Sequence, residues 1–272
     1  LLNPQQGKGF YVSEMNEATR PRVLVLFDKL SIYKEVLYNS LVEELGDKAD
    51  ITILTHNQNI ELFTYYLDTY LDKFDYYVIT PHFPLDEKSQ FMATKLISRV
   101  PNRKLIMIDN WLQSYTGNYG EGYQDFENDI YNALKEGLSK ITKYKRLILV
   151  YPEKAVYPYP RRILHGFRKF CVEHEINFEI LSEVYDDMIL KKGDLFITIE
   201  ESDLVNLVKQ IRDDEYVLGQ DIGVISYNDT PLKDLLGITV MSTDFNKMGE
   251  IAARMILNKE KGEIKVPFNF ID

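Results

Sequence analysis

The run QDIGVISYNDTPLKDLLGITVMSTDFNKMGEIAARMI, residues 220–256, carries several structural signals in a row. Its apolar stretch 222–227 predicts a buried strand, and Asn228, Asp229 and Pro231 predict a turn at the carboxyl end of that strand. A second apolar stretch and a polar cap then precede a helix whose apolar residues fall at helical spacing. Strand, turn, strand, cap and helix is the layout of a ligand site at the carboxyl edge of a parallel sheet.

Short apolar runs alternate with amphipathic stretches along the rest of the chain. The runs that predict strands are 23–27, 51–54, 76–80, 105–108, 147–150, 178–181, 195–199, 222–226 and 238–241. The stretches that predict helices are 32–45, 60–71, 85–99, 126–141, 161–174 and 204–212. Continuous apolar strands separated by such helices are typical of parallel sheets covered on both faces. We therefore predict an α/β fold with two doubly wound parallel-sheet lobes joined by a hinge.

Composition narrows the class of protein. The chain has 272 residues, of which 45% are hydrophobic and 27% charged, as in an ordinary globular protein. Its formal net charge of −10 makes it a poor DNA binder by itself, because phosphates are bound by Lys and Arg. A single cysteine, Cys171, excludes an intrachain disulfide and suits a reducing compartment, so we expect a cytoplasmic protein. No apolar run approaches the ~18 residues of a membrane span.

The opening run resembles the carboxyl-terminal third of the effector domains of LacI/GalR transcriptional regulators. The residues that carry the resemblance are Ser226, Tyr227, Asn228, Asp229, Ile238, Thr239, Val240, Met248 and Gly249. The resemblance loosely covers residues 22–271 and implies a periplasmic-binding-protein-like pair of lobes that the chain crosses three times. We expect residues 22–125 and 244–260 in the first lobe, and 126–243 and 261–272 in the second.

Residues 1–21 carry a second resemblance. The segment 7–12, GKGFYV, is similar to the Gly-Arg/Lys-Gly-Thr-Phe-Val signature in the wing hairpin that ends the winged-helix domain of GntR-type regulators. Glycines permit a tight tip, and Lys8 would reach a DNA phosphate or the minor groove. We therefore expect a winged-helix domain upstream of residue 1. A flexible terminus is the alternative.

Polar residues follow the strands predicted in the first lobe. Asp109 ends a strand and stands beside Trp111, and a carboxylate next to a ring suits the hydroxyls and the C–H face of a sugar. Asp28, Ser31 and Tyr33 enter the first helix, where backbone N–H groups meet a polar ligand. Simple helix or turn capping is the alternative for both groups.

The remaining candidates come from a strand end and from the LacI/GalR resemblance. His56 follows the second strand and could hydrogen-bond a sugar hydroxyl, or lie in a satisfied surface loop. In the second lobe the resemblance implies ligand contacts at Glu200, Asn228, Thr243 and Arg162, with Arg161 as an alternative to Arg162. Several of these residues depart from the family pattern, so the identity of the ligand stays open.

Metal and nucleotide sites are not expected. The four histidines are scattered, and no paired Cys/His spacing occurs. Gly117, Gly120 and Gly122 follow the order G-x-x-G-x-G, which matches neither common phosphate-binding motif. We interpret this stretch as a mobile tyrosine-rich loop and expect no cofactor.

The leading hypothesis is the effector-binding and dimerisation region of a bacterial repressor that joins a GntR-type winged helix to a LacI/GalR-type sensor. A small sugar, L-fucose or a related monosaccharide, would bind between the lobes of a homodimer that contacts operator DNA. An extracytoplasmic sugar-binding protein of a transporter is the first alternative. An enzyme that uses Asp28, Asp109 and Glu200 is the second, but the sequence has no G-x-S-x-G elbow.

Overall fold

The computed structural model describes residues 2–5, 9–12, 20–112, 115–153 and 159–272. At the amino terminus, strands β1 (Leu2–Gln5) and β2 (Gly9–Val12) pair antiparallel, with Leu2 opposite Val12. Lys8, the predicted DNA contact, lies outside the described residues. No helix within these ranges is long and apolar enough to cross a membrane.

The first lobe is built on a six-stranded sheet in the order β13-β7-β6-β5-β3-β4, and all of its strand pairs are parallel. Its strands are β3 (Arg22–Phe27), β4 (Asp50–Thr55), β5 (Tyr76–Ile79), β6 (Leu105–Asp109), β7 (Gly120–Tyr123) and β13 (Gly262–Lys265). The central strands are buried along nearly their whole length. Continuous apolar runs therefore form this sheet because helices cover both of its faces.

Four helices flank the first sheet. They are α1 (Ile32–Leu45), α2 (Ile60–Tyr70), α3 (Glu87–Ile97) and α9 (Phe245–Leu257), with short 3-10 turns at Gly46–Lys48 and Asn102–Lys104. Ser31, Asn59 and Asp86 cap the first three helices by accepting a backbone N–H with a side-chain oxygen. These caps determine where the helices begin, because they satisfy donors that have no partner within the helix.

The second lobe repeats the arrangement with one antiparallel edge. Its sheet has the order β14-β12-β11-β10-β8-β9, and only β12 and β14 pair antiparallel. The strands are β8 (Arg146–Val150), β9 (Phe178–Leu181), β10 (Asp194–Thr198), β11 (Gly223–Tyr227), β12 (Thr239–Thr243) and β14 (Phe268–Ile271). The helices are α4 (Phe126–Glu136), α5 (Leu138–Ile141), α6 (Arg162–Glu173), α7 (Glu201–Asp213) and α8 (Pro231–Leu235). The predicted α/β fold with two parallel-dominated sheets is confirmed.

Three connections join the sheets, and the last one differs from the expected boundary. The chain passes from the first sheet to the second after β7, returns after β12, and passes again between β13 and β14. The expected boundary at residue 260 placed all of 261–272 in the second lobe, whereas β13 pairs with β7 in the first sheet. Pro267, which has no N–H to donate within a sheet, lies between β13 and β14 at this crossing.

Strand β7 replaces the loop expected around residues 117–123. A Cβ atom at Gly120 would lie 2.9 Å from the Met255 sulfur, and one at Gly122 would lie 3.2 Å from Ile251 Cγ2. The two glycines therefore allow α9 to pack directly on this strand. Their spacing reflects close packing of a helix on a sheet.

Helices α1 and α9 also cross at very short range. A Cβ atom at Gly249 would lie 2.5 Å from the carbonyl oxygen of Leu37 and 2.7 Å from Ser40 Cβ. The Ser40 hydroxyl donates a hydrogen bond to the carbonyl oxygen of Asn246 at 2.7 Å. This contact holds α1, which begins at the cleft, in a defined position on the sheet.

Candidate functional site

A cavity of about 260 Å³ lies between the two lobes. It is lined by Asp28, Lys29, Ser31, Tyr33, Lys34, Gln58, His82, Asp109, Gln124, Phe126, Tyr159, Pro160, Ile163, Ile199, Glu200, Glu201, Tyr227, Asn228 and Phe245. Many of these residues follow the carboxyl ends of strands, the position where doubly wound sheets place their ligands. The cavity is therefore the candidate functional site.

Three charged side chains, Asp28, Lys34 and Asp109, form a buried ion triad on the first-lobe side of the cavity. The Lys34 ammonium lies 3.2 Å from Asp28 Oδ1 and donates a hydrogen bond to Asp109 Oδ2. All three side chains are at least nine-tenths buried. Thr80 orients Asp28, because its hydroxyl accepts from the Asp28 N–H at 2.7 Å and donates to Asp28 Oδ1 at 2.9 Å.

The triad is ionised at neutral pH. Burial by itself would raise the pKa of Asp28 and Asp109, but the Lys34 ammonium, His82 and side-chain hydrogen bonds together outweigh burial, so both carboxyl pKa values lie below their ordinary range. Burial would also lower the pKa of Lys34, and the two carboxylates instead hold it above its ordinary value. The triad thus carries two negative charges and one positive charge, and its carboxylates remain acceptors for ligand hydroxyls.

A chain of hydrogen bonds runs from this triad through the hinge to the second lobe. Asp109 accepts from the Gln124 amide and lies 3.0 Å from His82 Nε2. Gln124, on the first crossing, in turn accepts from the Thr243 hydroxyl at the end of β12. The Thr243 N–H lies 3.5 Å from Asn228 Oδ1. Hydrogen bonds therefore connect the Asp109 carboxylate to two of the three crossings, directly to Gln124 and through it to Thr243.

Across the cavity, Tyr33, Glu201 and Lys233 form an interlobe latch. The Tyr33 hydroxyl on α1 donates to Glu201 Oε1 on α7 at 2.9 Å, and the Lys233 ammonium lies 2.8 Å from the same oxygen. Lys233 is almost fully buried and also donates to the carbonyl oxygens of Tyr227 and Asn228 at 2.8 and 2.9 Å. Burial and the Glu201 charge raise the pKa of the Tyr33 phenol, so it stays a donor.

Aromatic rings supply the apolar part of the cavity. Tyr33 stacks on Phe245 with ring centroids 5.4 Å apart. Tyr159 faces the Lys29 ammonium, which lies 5.6 Å from the ring centroid. Burial raises the pKa of the Tyr159 phenol, as does the neighbouring Glu200 carboxylate, so this phenol also stays protonated. Rings beside hydrogen-bonding groups suit a ligand with both an apolar and a hydroxylated face.

Six of the residues predicted for the site line the cavity. They are Asp28, Ser31, Tyr33, Asp109, Glu200 and Asn228. Their convergence follows from the topology, because strand ends of both sheets face the same space. Their role in ligand binding stays a prediction.

The structure places His56 in the core of the first lobe. Its side chain is fully buried and its ring stacks on Phe83 with centroids 4.7 Å apart. Burial lowers the pKa of His56 to about 4, so the ring is neutral at neutral pH. The prediction that His56 lines the cleft is therefore wrong, because the ring turns inward between the helices and the sheet.

Trp111, Arg162 and Thr243 also lie outside the cavity. The Arg162 guanidinium stacks over the Trp111 ring at 4.5 Å and donates to Asp125 at 2.7 Å, in a separate groove beside the first crossing. Thr243 is buried and bonded to Gln124. These three residues lie around the hinge. The strand-end pattern and the family resemblance could not distinguish residues at the hinge from residues that line the cavity.

Sequence reasoning missed Lys34, Gln58, Gln124 and Tyr159. A signal existed for Lys34, since residues 34, 37, 41 and 45 share one helical face and only the first is polar. A lysine on a buried face requires an anionic partner. The other three lie in irregular segments, where sequence pattern does not determine side-chain direction.

A family model of the periplasmic binding protein-like domain matches residues 142–267. The fold is periplasmic-binding-protein-like. Solved structures with this periplasmic-binding-protein-like fold cover nearly the whole chain. A Lac repressor dimer bound to operator and the anti-inducer ONPF superposes with a TM-score of 0.72 at 14% identity, over 96% of this chain and 98% of that one.

Two further structures give the same result. The trehalose repressor from Escherichia coli superposes with a TM-score of 0.73 at 12% identity, over 93% of this chain and 100% of that one. A LacI family transcriptional regulator from Silicibacter pomeroyi superposes with a TM-score of 0.72 at 13% identity, over 92% of this chain and 97% of that one. At these identities the likeness concerns the fold alone. No curated protein sequence matches this chain.

The interlobe latch in this periplasmic-binding-protein-like fold gives a first prediction. Tyr33→Phe removes the hydroxyl that bonds Glu201 while leaving the ring beside Phe245. One lost hydrogen bond of about 0.5–1.5 kcal/mol should shift the balance of open and closed lobes by about 2- to 12-fold toward open. Small-angle scattering should then give a larger radius of gyration for Tyr33→Phe than for the wild type. The control is Tyr65→Phe, which changes an exposed tyrosine on α2, and equal radii for all three proteins would contradict the latch.

Proposed function

We propose that this chain is the effector-binding and dimerisation region of a bacterial transcription regulator, and that its effector is a small sugar. The supporting observation is the cavity between the lobes, in which ionised carboxylates and aromatic rings face the same enclosed space. Carboxylates accept from sugar hydroxyls, and rings pack on the C–H face of a sugar. The cavity is slightly smaller than the roughly 300–1,000 Å³ of drug-sized sites, so a monosaccharide is the proposed size.

The charges around the cavity favour an uncharged sugar. Four acidic side chains line it against two lysines, Lys29 and Lys34, and Lys34 is already paired with both triad carboxylates. Within the described parts of the chain, no arginine lines the cavity. A phosphate would meet net negative potential without a guanidinium to pair with it. L-fucose or a related neutral monosaccharide therefore fits better than a sugar phosphate.

Binding to both lobes would provide the regulatory signal. A sugar that contacts the triad in one lobe and Glu200 in the other binds the closed arrangement more tightly, and it shifts the equilibrium by that difference in affinity. In a homodimer the shift would move attached DNA-binding domains and change their fit to an operator. We propose a cytoplasmic protein on this basis, because its DNA lies there.

The DNA-binding part of the proposal has separate support. Strands β1 and β2 pair antiparallel, as the two strands of a wing do, and the sequence of residues 7–12 carries the GntR-like pattern. The similar solved structures include a Lac repressor dimer bound to operator and a LacI family transcriptional regulator, and they do not support the GntR label. The proposed GntR-type assignment therefore depends on residues 7–12 and on the antiparallel pairing of β1 with β2.

A transport-associated sugar-binding protein is the second candidate, since the matching family model describes a periplasmic binding protein-like domain. Size-exclusion chromatography with light scattering separates the two candidates. The regulator should be a dimer at micromolar concentration with or without sugar. A monomer under both conditions would favour transport.

The sugar site is tested by thermal unfolding with a panel of neutral monosaccharides and their phosphates. A sugar present at 100 times its Kd stabilises the native protein by about 2.7 kcal/mol, which raises the Tm by roughly 5–10 °C. We expect at least one neutral monosaccharide, with L-fucose and D-galactose included, to produce this shift, and its phosphate to produce none. Asp109→Asn should reduce the shift because it removes the triad's cleft charge.

Three outcomes would each contradict a part of the proposal. If no monosaccharide shifts the Tm, the cavity is not a sugar site. If sugar phosphates shift the Tm as much as neutral sugars do, the cavity binds sugars but the charge argument is wrong. If a sugar raises the Tm of Asp109→Asn as much as that of the wild type, Asp109 does not contact the sugar.

A further inference from the structure

Gln58 is a polar residue of the cavity wall that the function proposed above does not use. It lines the cavity and is only 7% exposed. Its Oε1 atom is buried and has no hydrogen-bond partner among the described residues. Buried amides are normally hydrogen-bonded, because an unpaired amide in the interior loses its hydration without compensation.

The backbone holds Gln58 in this position. Asn57 and Gln58 have φ values of 49° and 54°, in the left-handed region that few residues with a side chain adopt. On one side of the pair, the His56 N–H donates to the carbonyl oxygen of Phe27 at 2.9 Å and the ring stacks on Phe83. On the other side, Asn59 caps α2. The loop is thus fixed at both ends, and strained backbone of this kind concentrates at functional sites.

A role in folding does not explain this residue. A glutamine that stabilised the loop would bond a backbone group of the loop, as Asn59 does when it accepts from the Leu62 N–H at 2.9 Å. Leucine would fill a similar volume without an unpaired oxygen, and glycine would adopt the left-handed backbone without strain. The described residues therefore give this oxygen no partner, and a hydroxyl group of a ligand in the cavity can supply one.

We propose that Gln58 is a specificity-determining residue that recognises one hydroxyl of the bound sugar from the first-lobe wall. This inference depends on the proposed sugar-binding function. Rotation of the terminal amide presents either its oxygen or its nitrogen to the cavity, and a sugar hydroxyl can donate to the first or accept from the second. His82 lines the same side of the cavity, so Gln58 extends the triad into a polar wall that selects hydroxyl positions.

The test compares wild type, Gln58→Leu and the matched control Gln220→Leu, which makes the same chemical change on an exposed loop of the second lobe. The probes are L-fucose, D-galactose, D-mannose, D-glucose and D-ribose, and Kd is measured by calorimetry for the one that raises the wild-type Tm most. Gln58→Leu should weaken the Kd of that sugar at least 10-fold, because a site built for a hydroxyl discriminates strongly. Its sugar-free Tm should equal or exceed that of the wild type. Gln220→Leu should change neither quantity.

A second variant covers the case in which leucine is not tolerated at a left-handed position. Gln58→Met is unbranched and keeps the length of the side chain, and it is assayed against monodeoxy forms of the same sugar. One deoxy sugar should bind the wild type at least 10-fold more weakly than the parent sugar does. The same deoxy sugar and the parent sugar should bind Gln58→Met with equal affinity. If Gln58 had only a structural role, Gln58→Met would lower the affinity for the parent sugar and for every deoxy sugar by the same factor.

The outcomes separate this inference from the function on which it depends. If the wild type binds a sugar and the Gln58 variants bind it within twofold, Gln58 is not a contact and the sugar site remains. The inference also fails if the variants weaken all deoxy sugars equally. If none of the five sugars binds the wild type, the proposed function fails and the inference fails with it.

Discussion

Lys34→Met is expected to lower the free energy of unfolding by about 3–5 kcal/mol at pH 7, which corresponds to a fall in Tm of about 10 °C. The substitution removes the ammonium that lies between Asp28 and Asp109 and leaves two buried carboxylates facing each other. Breaking a buried ion pair on one side is far more destabilising than removing the whole pair, because the remaining charge has neither water nor a partner. Urea unfolding of the two proteins measures the difference.

The deficit of Lys34→Met should depend on pH with a definite sign. In the wild type the carboxyl pKa values of Asp28 and Asp109 are lowered, so the stability they contribute is present above the unfolded value of about 3.9 and is lost as the pH falls below it. In the variant, burial and mutual repulsion should raise both pKa values, so the variant loses stability as the pH rises above about 4. The gap between the two proteins should therefore be larger at pH 7.5 than at pH 4.5.

His56 adds a separate pH dependence. Its pKa is about 4 in the folded wild type, below the unfolded value of about 6.5, so the wild type loses stability as the pH falls through this window. The Lys34 charge is one of the causes that lower this pKa, so its removal should raise the pKa of His56 and make that loss smaller in Lys34→Met.

Two controls make the Lys34 result specific. Lys48→Met changes an exposed lysine after α1 and should alter stability by no more than about 0.5 kcal/mol. The triple variant Asp28→Asn, Lys34→Met, Asp109→Asn removes all three charges and should recover much of the lost stability. A deficit that is small and independent of pH would show that the triad is not held as an ionised, buried group.

Gly249→Val is expected to destabilise the protein by about 3 kcal/mol and to abolish the sugar-induced rise in Tm. The Cβ atom alone would lie 2.5 Å from the Leu37 carbonyl oxygen, and a backbone atom inside a helix cannot move aside as a flexible side chain can. Helix α1 would have to shift away from α9, and it carries Tyr33 and Lys34 at the cleft. Urea unfolding and thermal shift measure the two effects.

The control for Gly249→Val is Lys247→Val on the exposed face of the same helix. It introduces the same β-branched residue without a collision, and it should cost less than about 1 kcal/mol through helix propensity. Equal destabilisation by the two variants would show that propensity, and not the close crossing of α1 and α9, limits the choice of residue at position 249.

The sequence predicted the bounds of a helix correctly where its apolar spacing and its capping residues agreed. Helix α1 was predicted at residues 32–45 and is observed there, because Ser31 caps its start and Gly46 ends it with a positive φ of 51°, which glycine adopts readily. Strand β7 was missed since its sequence, GEGY, reads as a turn. Its glycines are required by α9, which approaches from elsewhere in the chain, and such a tertiary requirement leaves no local signal.

For the candidate site, sequence pattern predicted which residues lie at strand ends but not which side chains point into the cavity. The rule that ligands bind beyond the carboxyl ends of parallel strands located Asp28, Asp109, Glu200 and Asn228 at the cavity. The rule gives a position along the chain but no direction for the side chain. His56 satisfies it and still turns into the core, where Phe83 provides a better environment for a neutral ring than the cleft does.

The division of β13 and β14 between the two sheets also governs how the gene can be edited. A polypeptide shortened before Gly262 would strip an outer strand from both lobes at once and leave β7 and β12 with unpaired backbone edges. Open edges recruit other chains, so such a product would aggregate during expression. Affinity tags and reporter fusions therefore belong beyond Ile271, and circular permutants should keep residues 262–271 as one unbroken piece.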